Sequence, residues 1–251
     1  MEVHHSHNAT HNKRWTGYLL EFFMLFLAVF LGFIAENIRE HIVEKERERQ
    51  YIKSFIEDLS NDERSLPMLI SAIERQQIYP ADSLPLLFSK VDTKQQANSI
   101  YIYLRSITRQ QGINIFVTDR TIAQLRNSGS MRLIQNKQVS DSIVDYYKEI
   151  GYVAYLQELL IHQKELLRES FSLLLKSSDY DKVIDSHDKI INPSENLYLR
   201  SVDPNIINNC LLYVSDVRGL SITIRTLIIN IKSKAGNIKK LLLDKYGLKK
   251  G

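Results

Sequence analysis

The sequence contains few of the residues that form turns, disulfides and metal sites. It has 9 Gly and 5 Pro in 251 residues, so it offers little of the turn chemistry that many short strands require. Cys210 is the single cysteine, which excludes an intramolecular disulfide and any metal site built on two cysteines. The apolar content of 44% is typical of a folded chain. The sequence therefore predicts an all-α protein with a few long helices.

The short motifs of common catalytic sites are also missing. We find no phosphate-binding glycine loop, nucleophile elbow, zinc-protease helix or dinucleotide fingerprint. His162 and Glu165 have the spacing of one half of a carboxylate-bridged metal site, but the pair does not recur, which favours a surface pair. We therefore predict neither an enzymatic activity nor a cofactor.

A histidine-rich stretch, "HHSHNATH", lies at the N-terminus. Four imidazoles so close together are metal-ligand candidates as a flexible chelate, and the alternative is a solvated polar tail that binds no metal. The metal-ligand candidates are His4, His5, His7 and His11.

One apolar stretch, residues 15–35, is long enough to cross a membrane. Its 21 residues make about 31 Å of helix, against about 30 Å of hydrocarbon. Trp15 and Tyr18 suit one membrane interface, and Phe33 stands where signal cleavage would require a small residue. We predict a polar tail over residues 1–14, followed by an uncleaved transmembrane helix over residues 15–35.

Glu21 interrupts this span, and helical geometry indicates which residues share its face. At 100° per residue, four small residues and Leu25 lie within about 40° of Glu21, whereas bulky phenylalanines occupy the opposite side. Small residues let membrane helices approach closely, and an intramembrane carboxylate usually faces protein or water. The sequence therefore predicts a helix-packing face in the membrane. Its residues are Gly17, Glu21, Ala28, Gly32 and Ala35.

Two other interpretations of Glu21 remain open. Its carboxylate lies near enough to the interface to reach the headgroups, in which case the small residues are incidental. Alternatively, Glu21 titrates within a ring of helices that handles protons or other ions.

Beyond the span, residues 36–64 predict a charged helical stalk that enters a packed domain near Tyr51, and residues 65–251 predict an elongated helical bundle. Opposite charges at i,i+3 support an exposed stalk helix, whose thin apolar stripe leaves coiled-coil pairing open. Ser65 and Pro67 suit a new helix start or a kink. Pro80 and Pro85 are expected to bracket a loop, and a helix is expected over residues 93–110.

The remaining boundaries follow from caps. Thr118 with Asp119 is expected to cap a short helix, and Gly129 to adopt a left-handed conformation at its end. Asn136 is expected to cap a helix of about 40 residues, 137–176. Residues 177–202 are polar and irregular. Asp203 then restarts helix, and this last helix is expected to run antiparallel to 137–176.

The chain ends in a basic segment. Between Arg225 and Gly251 there are eight Lys or Arg residues and one acid, Asp244. Such a segment can bind anionic lipid, nucleic acid or an acidic partner, or can stabilise the negative end of its own helix dipole. Nucleic acid is not expected, because the lysines lack interleaved aromatic residues. The predicted basic surface consists of Lys232, Lys234, Lys239, Lys240 and Lys245.

Two phrases resemble an uncharacterised family of bacterial single-pass membrane proteins, found mainly in Bacteroidota. The first is "EFFMLFLAVFLGFIA" followed by "ENIRE", and the second is "LRNSGSMRLIQNKQVSDSIVDYY". The resemblance implies a cytoplasmic N-terminus, one span and a helical domain outside the inner membrane. It implies no activity, cofactor or substrate. Positive charge argues for the reverse orientation, because Arg39, Lys45 and their neighbours outnumber Lys13 and Arg14.

These features predict a membrane-anchored interaction or scaffold protein whose transmembrane helix pairs with a second copy or with another membrane protein. A subunit of an ion- or solute-handling complex, with Glu21 titrating, is the first alternative. A ligand sensor with its site near residues 177–202 is the second.

Overall fold

The structure, a computed structural model, describes residues 15–90, 94–109 and 114–248. Within these ranges the regular elements are helical and no strand is present, which confirms the all-α prediction. The α-helices are α1 (Trp15–Ile73), α2 (Tyr79–Phe88), α3 (Lys94–Thr108), α4 (Arg120–Asn127), α5 (Lys137–Phe171), α6 (Ser177–Tyr180) and α7 (Pro204–Tyr246).

Helix α1 has 59 residues and continues through Pro67. Of the two alternatives predicted near Ser65, a new helix start or a kink, the new start was therefore wrong. A proline inside a helix lacks one donor, but buried side chains on both sides of it hold the backbone in register. These are Leu66, Leu69 and Ile73. The chain divides into two compact units between Gln50 and Tyr51.

A π-helix, Glu74–Ile78, joins α1 to α2. The loop predicted between Pro80 and Pro85 was wrong, because both prolines lie within α2. Pro80 is in the first turn, where a missing N–H is tolerated, and it is buried with Ala81 and Leu84. The packing of this apolar face therefore keeps the segment helical, and local turn preferences do not take such packing into account.

Three predicted boundaries are confirmed. Gly129 has a φ of 64°, as a left-handed helix end requires. The Asn136 side chain accepts a hydrogen bond from the Val139 N–H at 3.2 Å. The Asp203 side chain accepts one from the Asn205 N–H at 2.8 Å. Local sequence sets these ends because the cap and the backbone group that it satisfies lie within three residues.

Helices α5 and α7 pack extensively against each other in the second unit. They run antiparallel, since Glu149 early in α5 pairs with Lys234 late in α7, and Ser170 late in α5 contacts Cys210 early in α7. The predicted direction is thus confirmed. Helix α5 ends at Phe171, five residues before the expected 176, where Leu174 and Leu175 turn into the core.

Residues 177–202 are mainly irregular but well connected to α3. They include α6, a 3₁₀ turn (Asp181–Val183) and an isolated bridge between Ile184 and Ile190. Tyr101 donates a hydrogen bond to the Tyr198 carbonyl oxygen at 3.1 Å, and the Leu197 N–H donates to the Asn98 side chain at 2.8 Å. These bonds and the burial of Val183 hold the segment against the core.

Candidate functional site

The first part of α1 exposes its apolar side chains. Trp15 is 82% exposed and Phe33 is 73% exposed, and none of the most apolar 18-residue window is buried. Among the described residues, this is the one helix that is long and apolar enough to cross a membrane. A soluble monomer rarely exposes a continuous apolar surface of this kind. This surface is weak evidence for a membrane anchor, because a signal sequence near the N-terminus has the same length and composition.

The predicted packing face lies on this exposed part of α1. A Cβ added at Gly17 or Gly32 would find no atom within 4 Å, so both glycines present open backbone. Ala28, Ala35 and Glu21 are exposed on the same helix. On the other side, the rings of Phe26 and Phe30 stack at 5.9 Å. The arrangement offers one small-residue surface and one aromatic surface.

The metal-ligand candidates have different positions. His4, His5, His7 and His11 lie outside the described residues. The His162 Nδ1 is 3.8 Å from the Glu165 carboxylate, on an exposed part of α5. The part of the chain that the structure describes contains no group of three or more His, Cys, Asp or Glu residues that could hold a metal ion.

The predicted basic surface is divided between paired and exposed lysines. The Lys234 Nζ is 2.6 Å from the Glu149 carboxylate, and Lys239 pairs with Glu63 of α1. Both lysines are half-buried, so they connect α7 to its neighbours. Lys232, Lys240 and Lys245 are exposed.

Two buried carboxylates, which the sequence analysis did not identify, anchor α4. Asp58 of α1 accepts hydrogen bonds from the Thr121 N–H at 3.1 Å, from the Thr121 hydroxyl, and from Arg120 at 3.1 Å. Asp119 makes no side-chain cap bond, so the local cap predicted for this helix was wrong. A carboxylate 63 residues away replaces it, because burial makes an unpaired donor there costly.

Asp62 completes this polar cluster. It accepts hydrogen bonds from the Thr118 N–H at 2.7 Å and from the Tyr146 hydroxyl at 2.7 Å. Burial raises the pKa of Asp62, although both hydrogen bonds act in the opposite direction. Burial and the nearby Asp62 charge raise the pKa of Tyr146. These hydrogen bonds connect α1 to Thr118, to the start of α4 and to α5.

A second cluster closes the C-terminal end of α3. Lys164 Nζ donates to the Arg109 carbonyl oxygen at 3.1 Å, and Arg168 donates to the Thr108 carbonyl oxygen at 3.1 Å. Cations stabilise the last carbonyls of a helix. Burial and, to a smaller extent, the charge of Arg168 lower the pKa of Lys164 to about 8. This arrangement is that of a helix cap.

An open groove of about 980 Å³ lies in the second unit, between α1 and α7. We call it the α1–α7 groove. One wall is formed by α1 residues 65–72 with the start of the π-helix, and another by Arg225 and Ile229 of α7. Asn114 and Phe116 complete it. Its lining residues do not include 177–202, where a sensor site had been predicted.

A row of polar pairs connects the π-helix and α2 to α7 beside this groove. Glu74 pairs with Arg225, Gln77 accepts a hydrogen bond from the Ser221 hydroxyl at 2.6 Å, and Asp82 pairs with Arg218. The Arg225 Nε and the Gln77 Nε2 are buried and have no hydrogen-bond partner among the described residues. Both are donors that an acceptor would stabilise.

Comparisons with protein-family models, with curated proteins and with solved structures found no match to this chain. A functional interpretation therefore rests on the chemistry of these surfaces.

Proposed function

We propose that this chain is a membrane-anchored interaction or scaffold protein, held by residues 15–35 and paired through the small-residue face of that helix. The observation that carries the proposal is that no residue in the most apolar part of α1 is buried. Water is a poor environment for such a surface, whereas lipid hydrocarbon accepts it.

The arrangement of the two sides supports pairing. Phenylalanines suit lipid, while Gly32 and Ala28 are four residues apart and let a second helix approach closely. Glu21 lies on the same side, where a partner helix would shield its carboxylate from lipid. The proposed partner is a second copy of the chain or another membrane protein.

The proposal also includes the orientation of the chain in the membrane and its resemblance to a family. We place the N-terminus in the cytoplasm and the helical-bundle domain outside the inner membrane, with residues 36–64 as a stalk that enters this domain, as the resemblance to the single-pass bacterial family implies. We assign no catalytic reaction and no cofactor to the chain. Alkaline-phosphatase and fluorescent-protein fusions after Gly251 test the orientation, and the intact mass of the membrane-bound protein tests whether the N-terminal helix is retained.

Pairing is tested with Gly32→Leu and Ala28→Leu. Full-length chains labelled with donor and acceptor dyes are reconstituted in phosphatidylcholine vesicles, and energy transfer is measured against dilution by lipid. Both variants should weaken association, because leucine separates helix backbones that glycine or alanine brings together. Phe30→Leu, on the opposite side, is the control and should pair like the native chain. Unchanged energy transfer in both face variants would remove the proposed interface.

Glu21→Gln separates this function from an ion-handling complex. If the chain is an interaction protein, a change in assembly should accompany the loss of the carboxylate. Loss of ion or solute flux in native membranes with assembly intact would instead favour the ion-handling alternative.

A further inference from the structure

The α1–α7 groove leaves large apolar side chains exposed, whereas similar side chains elsewhere in the second unit are buried. Met68 is 75% exposed and Phe116 is 78% exposed, and both line it together with Ile229. By contrast, Leu66, Ile73 and Ile228 in the same helices are fully or almost fully buried. The volume of about 980 Å³ lies within the range of about 300–1,000 Å³ that small-molecule pockets occupy.

One side of the groove is cationic. Arg225 lines the groove and uses one of its two terminal nitrogens to donate a hydrogen bond to Glu74. Arg75 also lines the groove, and its Nε donates to the Ser71 carbonyl oxygen at 3.3 Å. Two guanidinium groups and one carboxylate, Glu74, leave a net charge of +1 on the lining. An anionic oxygen is the acceptor that such a site pairs with most strongly.

We propose that the α1–α7 groove binds a single-chain fatty carboxylate, with its hydrocarbon chain along Met68, Phe116 and Ile229 and its carboxylate at Arg225. The apolar walls account for the chain, and the guanidinium group of Arg225, which lines the groove, accounts for the head group. A monoanion matches the net charge of the lining, whereas a phosphate dianion would meet greater repulsion from Glu74. The inference stands apart from the proposed pairing in the membrane, since none of the lining residues belongs to residues 15–35.

The experiment is photolabelling of the full chain in phosphatidylcholine nanodiscs with hexadecanoic acid that carries a diazirine in its chain, followed by peptide mapping. Label is expected on peptides containing residues 65–72, Phe116 or Ile229. Unlabelled hexadecanoate should compete at least about tenfold better than its methyl ester, because the ester lacks the charge that a charge-assisted bond requires. Hexadecyl phosphate should compete less well than hexadecanoate.

Two variants and two matched controls test the residues. Arg225→Gln should reduce labelling about tenfold, whereas Arg218→Gln should not, because Arg218 lies on the same helix and pairs with a carboxylate but does not line the groove. Ser71→Trp should block the groove from an exposed position, and Ser89→Trp on the exposed end of α2 should have no effect. Circular dichroism establishes that each variant is folded.

Several results would overturn the proposal. Label confined to residues 15–35 would assign the probe to a lipid-facing helix. Equal competition by the methyl ester, or better competition by hexadecyl phosphate, would exclude a fatty carboxylate as the preferred ligand. Labelling that a folded Ser71→Trp chain retains in full would exclude the groove, even if Arg225→Gln fails to fold.

Discussion

The two compact units of this protein place similar side chains in opposite environments. In the first, Phe22, Phe30 and Leu31 of α1 are exposed, whereas in the second Phe55, Leu104 and Ile228 are fully or almost fully buried. The residue types are the same, so hydrophobicity alone does not distinguish the two regions. What differs is the periodicity, because the apolar run of residues 15–35 covers nearly every side of the helix, and the later helices alternate apolar with charged faces.

The two units also differ in where they place charged side chains. The second unit satisfies its buried charges with protein groups, as Asp58 and Asp62 show. The apolar part of α1 has one residue that is charged at neutral pH in water, Glu21, on a face made mainly of small side chains.

The largest effect is expected when a charge is introduced into the buried core of the second unit or into the exposed apolar part of α1. Leu104→Asp should abolish cooperative unfolding, because it buries a carboxylate without a partner. The double change Leu27→Arg and Leu31→Arg should leave helix content unchanged and remove the chain from the membrane fraction, since each arginine costs about 3 kcal/mol at a span centre. Circular dichroism and membrane flotation measure the two outcomes. A membrane-bound double variant would contradict the contrast.

A smaller loss is expected when Asp58 loses its carboxylate. Asp58→Ala should lower the free energy of unfolding by about 2–4 kcal/mol, because the Thr121 N–H and hydroxyl remain buried without an acceptor. Glu57→Ala is the control: Glu57 lies 3.4 Å from the same Arg120 but is exposed, so its loss should cost below about 0.5 kcal/mol. Urea unfolding of both full-length variants measures the difference, and equal losses would argue against Asp58 as the cap of α4.

The second unit should become more stable as the pH rises above 8, because the buried Lys164 amine then loses its charge. Below about pH 8 the amine is charged in both states, and the folded state carries the cost of burying it. Between about pH 8 and 10.5 the folded state has lost this proton while the unfolded state retains it, so the free energy of unfolding rises. The slope is about 1.4 kcal/mol for each pH unit.

The measurement is urea unfolding at pH 7, 8 and 9 of the native chain, Lys164→Gln and Lys148→Gln. Lys148 lies on the same helix but is exposed, so its variant should follow the native pH dependence. Taking differences between the chains cancels other groups, including Cys210, whose pKa burial raises to about 11. If Lys164→Gln retains the native slope, this lysine is not the titrating group.

The smallest effect compares two predicted helix caps. Asn136→Ala should cost about 1 kcal/mol, because its side chain satisfies the Val139 N–H. Asp119→Ala should cost almost nothing, since Asp119 makes no side-chain cap bond. Thermal unfolding of the two variants measures this difference. A larger loss for Asp119→Ala would indicate that the local cap contributes after all.

The sequence was a good guide to elements whose causes are local. The left-handed Gly129, the Asn136 cap and the Asp203 restart all depend on groups within a few residues, so their letters were sufficient. It was a poor guide around Pro67, Pro80 and Pro85, where proline indicated breaks and packing kept helix. Of the candidate site, the apolar part of α1 was visible in the sequence, whereas the α1–α7 groove was not, because it joins residues about 150 positions apart.

The sequence by itself determined the helical class, the apolar segment and the distribution of small and aromatic residues on its two sides, since these follow from composition and from a period of 3.6 residues. Only the tertiary structure decided that Asp58 caps α4, that Lys164 and Arg168 close α3, and that Arg225 faces a groove. Each of these contacts joins distant residues, and the burial that makes them necessary exists only once the helices have packed.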